Sequence, residues 1–98
     1  MNLTYKNEWL EKLANGEKVR SKLSKAVVRA YQLRVAQIVA ADDERDLRAD
    51  RGANFELLKG DRVGQYSMRL NDQFRVVFEI RSGTPKNTIH IVEVGDYH

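Results

Sequence analysis

No cysteine occurs in the 98 residues, so neither a disulfide framework nor a thiolate metal site can stiffen the fold. Stability has to come from burial of Leu, Val, Ile and aromatic side chains. Only two histidines are present, and without cysteine beside them they give no metal-ligand spacing, while the carboxylates of residues 42–50 lack the loop pattern of a calcium site. The chain has no phosphate-cradling P-loop, no dinucleotide glycine fingerprint, no serine-nucleophile elbow, no internal repeat and no low-complexity tract. Long apolar runs are missing as well: residues 1–10 alternate polar and apolar and contain nothing like a leader or a membrane span. The expectation is a cytoplasmic protein with no membrane association, metal or other cofactor.

What is present fits one domain over residues 1–98, large enough for a single hydrophobic core and too short for two. The formal net charge is only +3, but it is unevenly spread. Residues 1–41 carry eight Lys/Arg against three acids, and residues 42–61 carry seven acids against four bases. A basic front raises the local concentration of polyanions and favours nucleic acid or a ribosome as partner.

Helical periodicity comes first along the chain. Residues 2–5 read as a short strand and 8–13 as a short helix, stopped by Asn15-Gly16, both tolerant of positive φ. A longer helix is expected over 25–41, N-capped by Ser24, with Val28, Tyr31, Val35 and Ile38 or Val39 on its buried stripe. Lys18, Lys22, Lys25 and Arg29 follow helical spacing and would form a basic ridge if the turn from Glu17 is also helical; the plainer reading is a solvated helix face. The acidic segment 42–46 with Leu47 reads as a helical turn, and Arg51-Gly52-Ala53-Asn54 as a connector.

From Phe55 onward the period switches to two, over 55–59, 66–70, 74–80 and 88–94. Gly60 and Gly64 mark one turn, Asn71-Asp72-Gln73 a hairpin, and Ser82-Gly83-Thr84-Pro85 another. Helices first and an antiparallel meander after argue for an α+β domain, with helices packed on one face of a small, mostly antiparallel sheet of four to five strands. The other face of that sheet is left free to act.

The hairpin carries the sharpest local inference. Tyr66, Met68 and Leu70 share a face with Phe74, Val76, Phe78 and Ile80, which leaves Ser67, Arg69, Arg75 and Glu79 on the other. A three-residue loop then sets Arg69 directly opposite Arg75. Like charges in that position cost up to roughly 1 kcal/mol, so the pair points to an anion, and two guanidiniums suit a phosphate. The competing use is an internal network in which Asp72 and Glu79 neutralise them. A second polar cluster, Asp96-Tyr97-His98, follows the last strand directly; an imidazole there can move protons near neutral pH, with Tyr and Asp to orient it, although polar residues at such a place are commonly a frayed tail. His90, within a strand, reads as a packed residue.

The string Leu57-Leu58-Lys59-Gly60-Asp61-Arg62, then Gly64-Gln65-Tyr66-Ser67-Met68-Arg69-Leu70-Asn71-Asp72-Gln73-Phe74-Arg75, with the closing Asp96-Tyr97-His98, resembles the HigB toxins, or plasmid-maintenance killer proteins, of the RelE/ParE superfamily. The match is strong from about Asn54 onward and looser before it. The resemblance implies a RelE-like fold with its active site on the concave sheet face. It also implies a metal-independent endoribonuclease that enters the ribosomal A site, where the messenger's own 2′-hydroxyl attacks the adjacent phosphate. Carried onto this chain, Lys59, Arg69 and Arg75 bind and stabilise the phosphate, while Asp96, Tyr97 and His98 position the nucleotide and handle protons. The implied partners are a HigA-like helix-turn-helix antitoxin, forming a hetero-oligomer, and the bacterial ribosome with its mRNA, for which Lys18, Lys22, Lys25 and Arg29 are candidate contacts. Some family members place a histidine just before the L-K-G string, where this chain reads Ala53-Asn54-Phe55, which leaves the base and acid unassigned. The alternatives are a ParE-like gyrase inhibitor, against which the terminal cluster argues, and a weak relative serving as an antitoxin-binding regulatory module.

Overall fold

The computed structural model describes residues 1–96. Strand β1 (Asn2–Tyr5) leads into helix α1 (Glu8–Ala14), then α2 (Lys25–Ala40) and α3 (Glu44–Arg48). Strands β2 (Glu56–Leu57), β3 (Tyr66–Arg69), β4 (Phe74–Arg81) and β5 (Thr88–Asp96) follow. They form one five-stranded sheet in the order β1-β5-β4-β3-β2. The β1–β5 pair is parallel and the other pairs are antiparallel.

The helix boundaries have local causes. Asn7 caps α1 by accepting from the Leu10 N–H at 3.0 Å, and Ser24 caps α2 by accepting from Val27 N–H at 3.2 Å, each satisfying a donor the helix itself cannot. On α2 the buried line is Val27, Tyr31, Val35 and Ile38. Val28, expected on that line, is half-buried against the core, and Val39 faces out. The buried Tyr31 hydroxyl donates to the Leu10 carbonyl at 2.9 Å, tying α2 to α1, and burial pushes its phenol well above the usual range.

Residues 15–24 are not helical, so the condition for a continuous basic ridge is not met: Lys18 and Lys22 sit on a loop, and only Lys25 and Arg29 belong to α2. The loop is held otherwise. Trp9 Nε1 donates to the Arg20 carbonyl at 2.7 Å, and Val19 and Leu23 pack against the core. These anchors fix an irregular path that helical spacing alone does not anticipate.

Alternation along the strands sorts the sheet. Met68, Val76, Phe78, Ile89 and Ile91 are buried in the core that the helices complete. The register Tyr66↔Phe78, Ser67↔Val77, Met68↔Val76 and Arg69↔Arg75 is the one the hairpin pattern predicts. A bulge sets Val77 opposite Glu93 but Phe78 opposite Ile91, so one residue of β5 is extra, which shifts the parity of its inward side chains from Ile91 to Val94. Strand β2 is shorter than its alternation predicts. Phe55 turns into an aromatic cluster with Tyr66 and Phe78, and beyond the Leu58 N–H bond to the Gln65 carbonyl the chain enters a 3-10 turn at Gly60–Arg62. Gly60 and Gly64, at φ of 68° and 88°, supply the left-handed backbone that this turn requires.

Candidate nucleic-acid interface and active site

At the tip of the β3–β4 hairpin lies an open cleft of about 470 Å³, lined by Arg51, Asn54, Arg69, Asn71, Asp72, Gln73 and Arg75. The hairpin supplies most of it. The side chain of Asn71 accepts from the Gln73 and Phe74 N–H groups at 2.9 and 2.7 Å, an arrangement open to Asn because its short amide reaches its own turn. That closes the three-residue loop and delivers Arg69 and Arg75 to the same face, as opposed residues.

Arg75 is the more rigidly held. Its Nε donates to Ser67 Oγ at 2.8 Å and its Nη2 to the Asn54 carbonyl at 2.7 Å, with Glu56 Oε2 at 3.7 Å. Its side chain is only 15% exposed, and Ser67 is fully buried. Asn54 presents its carbonyl from left-handed backbone, φ 44°, a conformation that Asn adopts more readily than most residues. Arg69 is looser: its Nε donates to the Asn71 carbonyl at 3.1 Å and its Nη2 pairs with the Asp72 carboxylate. Internal neutralisation therefore reaches Arg69 through Asp72 and Arg75 through Glu56, whereas Glu79 bonds Arg81 at 3.1 Å instead.

A polar brace behind the cleft joins its walls to α2. Arg34 Nε donates to the Arg69 carbonyl at 3.0 Å, and Arg34 Nη1 reaches Asp50 Oδ2 at 2.9 Å and Gln37 Oε1 at 2.9 Å. Asp50 Oδ1 in turn accepts from the Gly52 N–H at 2.9 Å. Burial works to raise the Asp50 carboxyl, but the Arg34 guanidinium, the Gln37 amide and the Gly52 N–H outweigh it and hold the group below its ordinary 3.8. A carboxyl lowered on folding stabilises the native state above its unfolded pKa, and that contribution disappears as pH falls through the lowered value. Asp50→Asn is accordingly expected to be less stable at neutral pH and to lose less further stability than the parent below about pH 4. Circular-dichroism unfolding across a pH series reads both effects, and superimposable acid limbs would rule the brace out as a source of pH dependence.

The other sequence candidates divide. Asp96 lies opposite Phe74 at the end of β5, and its Oδ2 accepts from the cleft-lining Gln73 at 2.8 Å, so the start of the terminal cluster stands beside the cleft. Tyr97 and His98 lie outside the described residues. Lys59 is exposed where the 3-10 turn after β2 begins and does not line the cleft. Lys18, Lys25 and Arg29 rim a separate hollow of about 580 Å³ floored by Leu13, Val19, Leu23 and Val28, while Lys22 lines a neighbouring one with Val19 and Arg20.

Sequence reasoning missed Arg51 and Asn54, read only as a connector, and it gave Ser67 a face but no role. For Ser67 the signal was present, since alternation places it on the arginine face. Arg51 carries no such signal, because its approach to the hairpin depends on tertiary packing. Chemically, the cleft sets three guanidiniums against one carboxylate. Guanidiniums so placed are able to bind a phosphodiester by charge-assisted, bidentate hydrogen bonds and to stabilise added negative charge on it.

Comparison with known proteins agrees in sequence and in fold. Residues 3–98 match the family model of the HigB-like toxin, described as the RelE-like toxin of type II toxin-antitoxin system HigB. Toxin HigB-1 of Vibrio cholerae serotype O1 is 33% identical over 88 residues, spanning 90% of this chain and 93% of the relative. Among solved structures, the YoeB/ParE toxin from Agrobacterium tumefaciens superposes with a TM-score of 0.60 at 14% identity over the whole of both chains. YoeB in a complex with YefM from Staphylococcus aureus gives 0.61 at 20% identity, covering 100% of this chain and 97% of that one. YafQ from E. coli gives 0.60 at 7% identity, covering 97% and 91%. At such identities the structures speak for the RelE-like α+β fold, while the sequence matches speak for the family: the chain belongs to the HigB-like toxins, the RelE-like toxins of type II toxin-antitoxin systems.

Proposed function

We propose that this toxin is a metal-independent endoribonuclease that cuts messenger RNA in the ribosomal A site. The observation that carries the reading is the opposed Arg69–Arg75 pair in a cleft with three guanidiniums and a single carboxylate. In the reaction, the 2′-oxygen of the substrate forms a bond to the adjacent phosphorus, the P–O5′ bond breaks, the 2′-hydroxyl proton passes to a base and an acid protonates the leaving 5′-oxygen. Arg75, pre-oriented by Ser67 and Asn54, and Arg69, once released from Asp72, stabilise the charge that builds on the non-bridging oxygens. Asp96, Tyr97 and His98 are assigned to nucleotide positioning and proton transfer, and Lys59 to phosphate binding nearby. The hollow rimmed by Lys18, Lys25 and Arg29, with Lys22 beside it, is assigned to ribosomal RNA. A helix-turn-helix antitoxin is the proposed cytoplasmic partner, in a hetero-oligomer.

Induced expression followed by mapping of messenger 5′ ends, with and without ribosomes, tests the reading. Breaks in register with the reading frame that vanish without ribosomes are expected. Growth arrest with intact messages, together with loss of gyrase supercoiling, would move the protein to the gyrase-poisoning class.

A further inference from the structure

Charge pairing within the cleft is uneven. Arg69 is engaged by the Asp72 carboxylate, and Arg75 by the Ser67 hydroxyl, the Asn54 carbonyl and the Glu56 carboxylate. Arg51 lines the same cleft, is exposed, and its guanidinium makes no hydrogen bond or ion pair among the described residues. Its backbone, by contrast, is fixed on both flanks. It opens the 3-10 turn Arg51–Ala53, before which Asp50 binds the Gly52 N–H, Arg34 and Gln37. Behind it Ala53 is fully buried and the Asn54 carbonyl is held by Arg75. A long cation with no counter-charge among the described residues, on an immobilised turn at the edge of the cleft, is available to a ligand.

The turn belongs to the connector before β2 and not to the hairpin, so Arg51 approaches from a different wall than Arg69 and Arg75. Asn71 adds to this edge: its Oδ1 is consumed by the Gln73 and Phe74 N–H groups, which leaves its amide NH₂ to donate. Phosphates along a strand are held apart by the sugar, so a cation on a separate wall addresses a phosphate beside the one gripped by the hairpin pair. We propose that Arg51 forms a flanking phosphate subsite, binding the phosphodiester next to the scissile linkage of single-stranded RNA. The inference rests on the RNA-cleaving reading and gives Arg51 a share in substrate binding and not in the chemical step.

Binding of a short single-stranded 2′-O-methyl oligoribonucleotide, which can be held but not cut, tests it across a salt series. Arg51→Ala is expected to weaken binding about tenfold at low salt and to reduce the slope of log Kd against log salt by about 0.7, the share of one phosphate contact on a single strand. Arg51→Lys should restore the slope, because charge at that position is what counts. On programmed ribosomes the alanine variant should raise KM and leave kcat in place, with an unchanged thermal midpoint. Unaltered affinity and slope in Arg51→Ala, or a lowered midpoint with no change of slope, would overturn the subsite while frame-registered cleavage by the parent protein kept the nuclease reading intact. A parent protein that leaves messages uncut in cells would remove both.

Discussion

Arg75→Ala is expected to lower RNA cleavage by about 10²–10³-fold, the usual cost of deleting one pre-oriented donor to a developing oxyanion. The size of the effect follows from how the side chain is held. Two of its nitrogens are committed to Ser67 Oγ and the Asn54 carbonyl, and only 15% of its side chain is exposed, so its remaining donors are fixed before substrate arrives and need no reorganisation during the reaction. Arg69, 43% exposed and paired with a 96% exposed Asp72, is freer to move, and its removal should cost less. Arg75→Lys keeps charge but cannot reproduce a planar fork that bonds two internal acceptors and a phosphate together, so partial RNA binding with little cleavage is expected. Alanine also strands the buried Ser67 hydroxyl and the Asn54 carbonyl, which costs about 1–3 kcal/mol. Denaturant unfolding must therefore accompany single-turnover cleavage, and a folded Arg75→Ala protein that still cleaves and arrests growth at the parent level would end the proposed chemistry.

How much of this was legible beforehand depends on whether the cause was local. Two-residue alternation on either side of Asn71-Asp72-Gln73 fixes faces and register together, and Arg69↔Arg75 emerged as expected. The Ser24 N-cap and the Asn15-Gly16 stop were legible for the same reason, because each is made by neighbours in sequence, whereas the Asn7 cap, equally local, was not read. The basic ridge depended on a helical turn from Glu17, and it does not form because Trp9 holds that segment as a loop. The cleft's second wall was invisible in kind: Arg51 and Asn54 meet the hairpin only once Arg34 and Asp50 have joined α2 to the connector, a long-range bond without sequence periodicity. Asp72, a possible neutraliser by sequence, does pair with Arg69, but Glu79 turns to Arg81 and it is Glu56 from β2 that approaches Arg75, a choice that alternation does not reveal. Of the terminal cluster, Asp96 reaches the neighbourhood through Gln73; the places of Tyr97 and His98 lie beyond the described residues.

Phe78→Ala is expected to destabilise the fold by about 3–5 kcal/mol, through lost transfer free energy and the cavity left behind. Phe78 has no exposed surface and its ring touches two others, Phe55 at 5.7 Å edge-on and Tyr66 at 6.1 Å stacked. Phe55 is in turn covered by the Arg48 guanidinium, 4.4 Å from its ring centre. The cluster therefore joins α3, the connector before β2, β3 and β4 at one point, and none of these partners can collapse into the void without moving a strand. Against a total stability of about 5–15 kcal/mol for a domain of this kind, the loss should leave a marginal protein, visible as a large drop in denaturant midpoint. Phe78→Leu, which retains most of the volume, should cost far less. Arg75 lies three residues earlier on the same strand, and β4 sets its position against Asn54, so activity in Phe78→Ala should fall in proportion to the folded fraction and return on cooling or ligand stabilisation. A variant within about 1 kcal/mol of the parent would mean that β4 is held in place by Val76 and Ile80 against the helices, with the aromatic cluster only filling space.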